Sequence, residues 1–245
     1  MIEAFLWGSL AAGMLLVGAV IAFVSRPGPK LNAVVMAAGA GLLIGSVSYD
    51  LIGEALKQGS NLIVALAFFL GSASFVLGDW YLDHRGAKHR KDPNGDQASG
   101  SSQAIVLGSV LDGIPESFVL GLTVLQGGIS VPLLVAVGMS NLPEGMSSSS
   151  GLRASGWPLR RVVLMWTAVV LVSGLSAAAG YILLDPNAGF SVGAAGQAFA
   201  QAFAAGALLT MLCDTMLPEA FEEERNLTGA LVVLGFAGSI ALSAL

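Results

Sequence analysis

The chain has 245 residues, of which 55% are hydrophobic and only 11% are charged, and its net charge is −5. This composition excludes an ordinary soluble globular protein and predicts a polytopic integral membrane protein. Its single cysteine excludes an intrachain disulfide. The apolar composition predicts contact with the lipid bilayer and no binding of nucleic acid.

The apolar residues fall into eight segments, each near the roughly 20 residues that a membrane-spanning helix needs. The first segment lacks the basic start of a signal peptide and is too long for one. The only long polar stretch, 83–102, is charged and then rich in Gly and Ser, and predicts a flexible cytoplasmic loop. The chain 1–245 is thus expected to form one all-α transmembrane domain with spans at 2–25, 32–56, 61–82, 103–126, 130–152, 159–184, 193–218 and 227–245.

The basic residues predict the orientation of these spans. Lys57 is the only Lys or Arg on one side, and the other ten lie in the connections between segments 1–2, 3–4, 5–6 and 7–8. Because cytoplasmic loops carry the excess of Lys and Arg, both termini are expected outside. The compact chain favours a bacterial inner (plasma) membrane.

Two motifs place carboxylates within apolar segments: "DGIPES" at 112–117 and "SNLPEG" at 140–145. An ionised side chain at mid-membrane costs about 2.5–3.5 kcal/mol even on the lenient insertion scale. No Lys or Arg lies in the central part of any span to neutralise Asp112, Glu116 or Glu144. These acids are either protonated and hydrogen-bonded, or they share a cation. Their clustering around two prolines favours the cation.

The spacing of these residues is suited to a metal site. Asp112 and Glu116, like Ser140 and Glu144, are four positions apart and share a helix face. Each proline also leaves a backbone carbonyl without its helical partner, which is tolerated where it lines a cavity. The predicted oxygen ligands, of a kind that divalent cations accept, are Asp112, Glu116, Ser140, Asn141 and Glu144. The serines at 147–150 either line a wet exit or merely pack closely.

Segments 2 and 7 resemble each other. "GLLIGSVSYDLIGEAL" at 41–56 aligns without gaps with "GALLTMLCDTMLPEAF" at 206–221, so that Glu54 matches Glu219. The two segments are expected to cross the membrane in opposite directions, which is typical of an inverted repeat with its substrate at the midplane. Acids would then line a cation pathway, with Asp50 and Glu54 at the outer mouth and Asp214, Glu219, Glu222 and Glu223 along its inner part.

The two P-E motifs, in the fourth and fifth segments, resemble those of the ZIP (Zrt-/Irt-like) family of divalent metal transporters, and the resemblance covers nearly the whole chain. It implies a 3+2+3 arrangement of eight helices, a metal held by helices 4 and 5, and a homodimer. It also implies a divalent metal as substrate, no resident cofactor and no enzymatic activity.

The sequence departs from the family pattern in four places. Asp112 stands where the family has histidine, Gly113 where it has asparagine, and Ala177 where helix 6 often supplies a ligand. Ser140 occupies the opening position of the helix-5 motif, while Asn141, Pro143, Glu144 and Gly145 match. One all-oxygen site remains, and the metal is left open among Zn²⁺, Cd²⁺, Mn²⁺ and Fe²⁺.

Three other functions compete with metal transport. The missing ligands suit a metal sensor or regulator that binds without transporting, and the same acids would serve a proton-coupled transporter of another substrate. "YD" at 49–50 and "LGD" at 77–79 resemble the motifs of an intramembrane aspartyl protease. However, Asp50 and Asp79 are expected at opposite membrane faces, and a protease leaves Glu116 and Glu144 unexplained.

Overall fold

The computed structural model describes residues 1–82, 84, 102–125, 128–185 and 192–244. These residues form helices joined by short connections, with no strand among them. The predicted cytoplasmic loop at 83–102 lies almost wholly outside the described residues.

Helices occupy each of the predicted segments, and their ends differ from the predicted ones by a few residues. We number them α1 to α8 within the described ranges, and treat α2 and α7 as continuous through a π-helical turn in each. They are α1 Ile2–Val24, α2 Pro29–Gln58, α3 Asn61–Leu82, α4 Ser102–Leu125, α5 Val131–Ala154, α6 Leu159–Leu184, α7 Gly193–Glu223 and α8 Thr228–Leu242.

Five of the helices in the described ranges are long and apolar enough to cross a membrane: α1, α2, α3, α6 and α7. The helix α8 is apolar but shorter. Pro115 and Pro143 lie inside α4 and α5, and both helices continue through them.

The helices pack in two groups. The first contains α1, α4, α5 and α6, with α1 against α5 and α6 and with α4 against α6. The second contains α2, α3, α7 and α8, with α2 against α8 and α3 against α7. The groups meet mainly where α2 packs on α5, and less extensively where α4 packs on α7.

Glycines set the closest helix crossings. A Cβ atom on Gly41 of α2 would lie 2.0 Å from the carbonyl oxygen of Val232 in α8. The matching crossing of α7 on α3 has the same feature, since a Cβ on Gly206 would lie 1.9 Å from the carbonyl oxygen of Phe68. Small residues thus permit close backbone approach between helices, as is ordinary in membranes.

The π-helical turns occupy equivalent places in α2 and α7. They span Val47–Ile52 and Leu212–Met216. The gapless alignment that pairs Gly41 with Gly206 also pairs Val47 with Leu212, the first residues of the two turns. The resemblance between the two segments therefore extends to a local irregularity of the backbone that periodicity did not predict.

Candidate metal centre

A small cavity lies where α2, α4, α5 and α7 meet. Three carboxylates from three different helices line it: Glu116 of α4, Glu144 of α5 and Glu219 of α7. The cavity is about 10 Å³ in volume, at the lower limit for holding one water molecule. Its remaining lining residues are Met36, Ser140, Ser147, Met211 and Met216.

A hydrogen bond connects the two motifs across this cavity. The hydroxyl of Ser140 in α5 donates to Oε1 of Glu116 in α4 over 3.1 Å, and also reaches the carbonyl oxygen of Val137. Glu116 and Ser140 are only 2% and 4% exposed. A buried carboxylate is thus oriented by a hydroxyl of the neighbouring helix, which is how ligand-supporting residues act at metal sites.

Asp112 and Asn141 are buried, at 1% and 2% exposure, but are not among the residues that line this cavity. The Asn141 side-chain nitrogen donates to the carbonyl oxygen of Ala11 in α1 over 3.3 Å. Within the described residues no three His, Cys, Asp or Glu side chains gather closely enough to hold a metal ion. The predicted five-ligand set is therefore only partly assembled around one point in this conformation.

The predicted outer acids are engaged by neighbouring side chains. Asp50 accepts a hydrogen bond of 2.7 Å from the hydroxyl of Ser130, the residue that caps the N-terminus of α5. Glu54 pairs with the Lys57 ammonium at 2.9 Å and accepts from the Gln58 amide at 2.9 Å. The Asp50 contact connects α2 to the start of α5. The Glu54 contacts lie within the last turns of α2.

The predicted inner acids are scattered. Glu219 lines the central cavity, Asp214 and Glu222 are exposed, and Glu223 is half-buried. Asp214 lies in the π-helical turn of α7, together with the exposed Cys213. A π turn adds a residue per turn and rotates the following side chains relative to an α-helix. The position of Asp214 therefore could not be derived from an α-helical wheel.

The serines at 147–150 in α5 divide between lining a cavity and packing between helices. Ser147 lines the central cavity and also a second, larger cavity beyond it. Ser148 and Ser149 are buried, and Ser149 accepts a hydrogen bond of 2.8 Å from the indole of Trp166 in α6. Ser147 and Ser150 thus line a cavity, whereas Ser148 and Ser149 pack between helices.

The chain has relatives among known proteins. The family model described as ZIP zinc transporter matches residues 81–243, two thirds of the chain, including both P-E motifs. The chain belongs to the ZIP family.

One relative of this chain is a protein of Arabidopsis thaliana named as a "putative zinc transporter". It is 27% identical to this chain over 210 residues, which make up 84% of this chain and 32% of the relative. The chain therefore spans about a third of the length of the curated relative that it matches.

Membership of the ZIP family argues against the protease. Asp50 lies in the last third of α2 and Asp79 in the last turn of α3. If both helices cross the membrane in opposite directions, as predicted, the rise of 1.5 Å per residue separates the two aspartates by roughly 15 Å along the membrane normal. Two carboxylates at that separation cannot share a proton.

Sequence reasoning on this ZIP protein missed the lining residue Met36 and favoured a packing role for Met216, which also lines the cavity. Both are apolar side chains in apolar helices, and nothing in the pattern separates a lining methionine from a packing one. Ser147 had the clearest signal, since it follows Glu144 by one helical turn and shares its face.

Proposed function

We propose that the protein transports a divalent transition-metal cation, Zn²⁺ or a related metal, across the membrane toward the cytoplasm. The observation that carries this proposal is the cavity shared by Glu116, Glu144 and Glu219, acids from three helices of a ZIP protein. Carboxylates with no basic neighbour among the cavity's described lining residues attract a cation and supply its ligands.

The metal would enter past Asp50 and Glu54 and bind between α4 and α5. Asp112, Glu116, Ser140, Asn141 and Glu144 remain the proposed ligands, and binding by all five requires a rearrangement that brings Asp112 and Asn141 to the cavity. Exit would follow Glu219 and then Glu222 and Glu223 at the end of α7. Binding requires ionised carboxylates, so protons compete with the metal.

The proposal includes eight spans in a 3+2+3 inverted repeat with both termini outside. The equivalent π turns in α2 and α7 and the matching glycine crossings, α2 on α8 and α7 on α3, support the repeat. Arg26 and Arg153 line one cavity, so the first and third predicted cytoplasmic connections lie on the same side of the molecule, as the proposed topology requires. Rocking of one helix group against the other would give alternating access. A homodimer in a bacterial inner membrane completes the proposal.

Uptake into proteoliposomes tests transport directly. We expect saturable initial uptake of at least one of Zn²⁺, Cd²⁺, Mn²⁺, Fe²⁺ and Co²⁺ by the native protein, and its loss in Asp112→Ala and Glu144→Gln. Uptake unaffected by both substitutions would show that the metal takes another path. Absence of both uptake and binding would contradict the cation site, leaving proton-coupled transport of another substrate.

A sensor or regulator is the second candidate. It is favoured by the incomplete gathering of ligands in the described residues and by Ala177 in place of a helix-6 ligand. In that case equilibrium dialysis would detect bound metal, and proteoliposomes would show no flux of the same metal.

A further inference from the structure

A second cavity, of about 200 Å³, opens between the start of α2, the end of α5 and the turn that joins α1 to α2. It lies on the side predicted to be cytoplasmic. Its polar lining residues are Arg26, Asn32, Ser147, Ser150 and Arg153. Among the described residues no acid lines it, in contrast to the central cavity on the other side of Ser147.

Arg153 is held in place by α1. One of its guanidinium nitrogens, Nη1, donates to the carbonyl oxygen of Ala22, and the guanidinium carbon lies 5.9 Å from the centre of the Phe23 ring. A guanidinium has five N–H donors in a rigid fork. One donor is used by Ala22, so others remain to bind a ligand in the cavity.

Arg26 has an unusual backbone conformation. Its φ is +48°, the only positive φ of a non-glycine residue in the described ranges. A bulky side chain in this region is a genuine outlier, and helices usually end here on glycine. Backbone strain of this kind occurs at functional sites where the side chain is needed, and the Arg26 side chain lines the cavity.

Asn32 supplies a neutral donor beside the two arginines. It is 8% exposed and lines the cavity. Its Oδ1, an acceptor, is fully buried and has no hydrogen-bond partner among the described residues, so a contact to an anion has to come from its –NH₂ group. Its –NH₂ group is suited to the same ligand as a guanidinium, which is an oxygen anion.

We propose that this cavity binds a phosphate group, held by Arg26, Arg153 and the amide of Asn32. Two guanidiniums and an amide form the fork-like donor set that phosphate oxygens accept bidentately. The phosphate belongs either to a free anion of the cytoplasm or to the headgroup of a phospholipid. Bound there, it would offset the positive potential that Arg26 and Arg153 impose on a cation near Ser147.

The test uses the purified full chain in a phosphate-free, uncharged detergent without added metal, so it does not depend on metal transport. Inorganic phosphate is titrated and followed by ³¹P line broadening and calorimetry. In a second arm, native mass spectrometry compares retention of phosphatidylglycerol with that of an uncharged lipid that lacks phosphate.

Arg26→Gly removes one guanidinium while suiting the left-handed backbone, so it is expected to fold. Asn32→Asp replaces the amide by a carboxylate of the same shape, which repels an anion. Arg160→Gln, an exposed residue on the same side but outside the cavity, is the matched loss of charge. We expect both cavity variants to bind at least 10-fold more weakly than the native protein, and Arg160→Gln to bind normally.

Saturable binding of inorganic phosphate, lost in the cavity variants, would identify a free anion as the ligand. Selective retention of phosphatidylglycerol with the same variant pattern, and no binding of inorganic phosphate, would identify a lipid headgroup. The proposal is overturned if neither ligand binds. It is also overturned if Arg160→Gln weakens binding as much as Arg26→Gly does, since only net charge would then matter.

Discussion

The helices α2 and α7 carry the same pattern but differ in where their matching glutamates lie. Glu54 of α2 pairs with Lys57 and Gln58 at the end of its own helix, away from the central cavity. Glu219 of α7 lines that cavity together with Glu116 and Glu144. Equivalent residues of two similar segments are thus engaged differently.

A second matched pair also differs, and again the residue nearer the predicted cytoplasmic side lines the central cavity. The register that pairs Gly41 with Gly206 also pairs Met36 with Gln201. Met36 lines the central cavity, whereas Gln201 is wholly buried and makes no hydrogen bond to the described residues. We propose, on the predicted orientation, that the cavity lies toward the half expected to be cytoplasmic and that the half expected to be outside is packed closed.

The largest expected effect concerns Glu144, which lines the central cavity. Glu144→Gln keeps the shape of the side chain but removes the charge that a metal ligand needs, so initial metal uptake should fall by roughly 100-fold. Glu3→Gln, which changes an exposed acid in the first turn of α1, is the control. Equal uptake by the two variants in proteoliposomes would remove Glu144 from the pathway.

The matched glutamates test the comparison itself. Glu219→Gln should lower uptake by about 10-fold, because Glu219 lies beside the other two carboxylates. Glu54→Gln should cost about twofold or less, since Glu54 is compensated by Lys57. Initial rates at low metal concentration measure both variants, and a larger loss for Glu54→Gln would reverse our assignment of the packed half.

Gln201→Leu should separate stability from activity. It removes a buried amide that lacks hydrogen bonds, so the packed state should gain about 1–3 kcal/mol. The unfolding temperature in detergent should rise. Metal uptake should slow, because opening of the outer half hydrates the Gln201 amide in the native protein, and a leucine gains nothing from that hydration. Gln197→Leu, one turn earlier and only half-buried, is the control. A lower unfolding temperature for Gln201→Leu would contradict this prediction.

The smallest effects are expected at the helix ends. Lys57 pairs with Glu54 at 2.9 Å, and Lys30 lies 4.0 Å from Glu224 at the other end of the molecule. Both lysines are largely exposed, so Lys57→Gln and Lys30→Gln should each change stability by less than about 1 kcal/mol. A larger decrease of the unfolding temperature would mean that the ion pair concerned stabilises the closed arrangement of its half.

The helices themselves could be predicted from the sequence. A span must bury its backbone polar groups in helical hydrogen bonds, so apolar length alone located α1 to α8 within a few residues. The two P-E motifs could be found because carboxylates and prolines are costly in such helices. Both features depend on local composition, which a single sequence displays completely.

The exact environment of each acid could not be predicted. Asp112 and Glu116 share a helix face, yet only Glu116 lines the central cavity. Asn141 follows Ser140 directly, but its amide bonds to Ala11 of another helix. Such partners depend on how each helix is rotated and how closely its neighbours approach, and glycine crossings such as Gly41 on Val232 set that approach.

Sequence alone thus determined a helical membrane protein with acids in its fourth and fifth helices and an internal repeat in its pattern. Only the tertiary structure decided that Glu219 faces Glu116 and Glu144, that Asp214 is exposed, and that Arg26, Asn32 and Arg153 share a cavity. The physical reason is that periodicity fixes a helical face only up to the first π turn, and never fixes which neighbour that face meets.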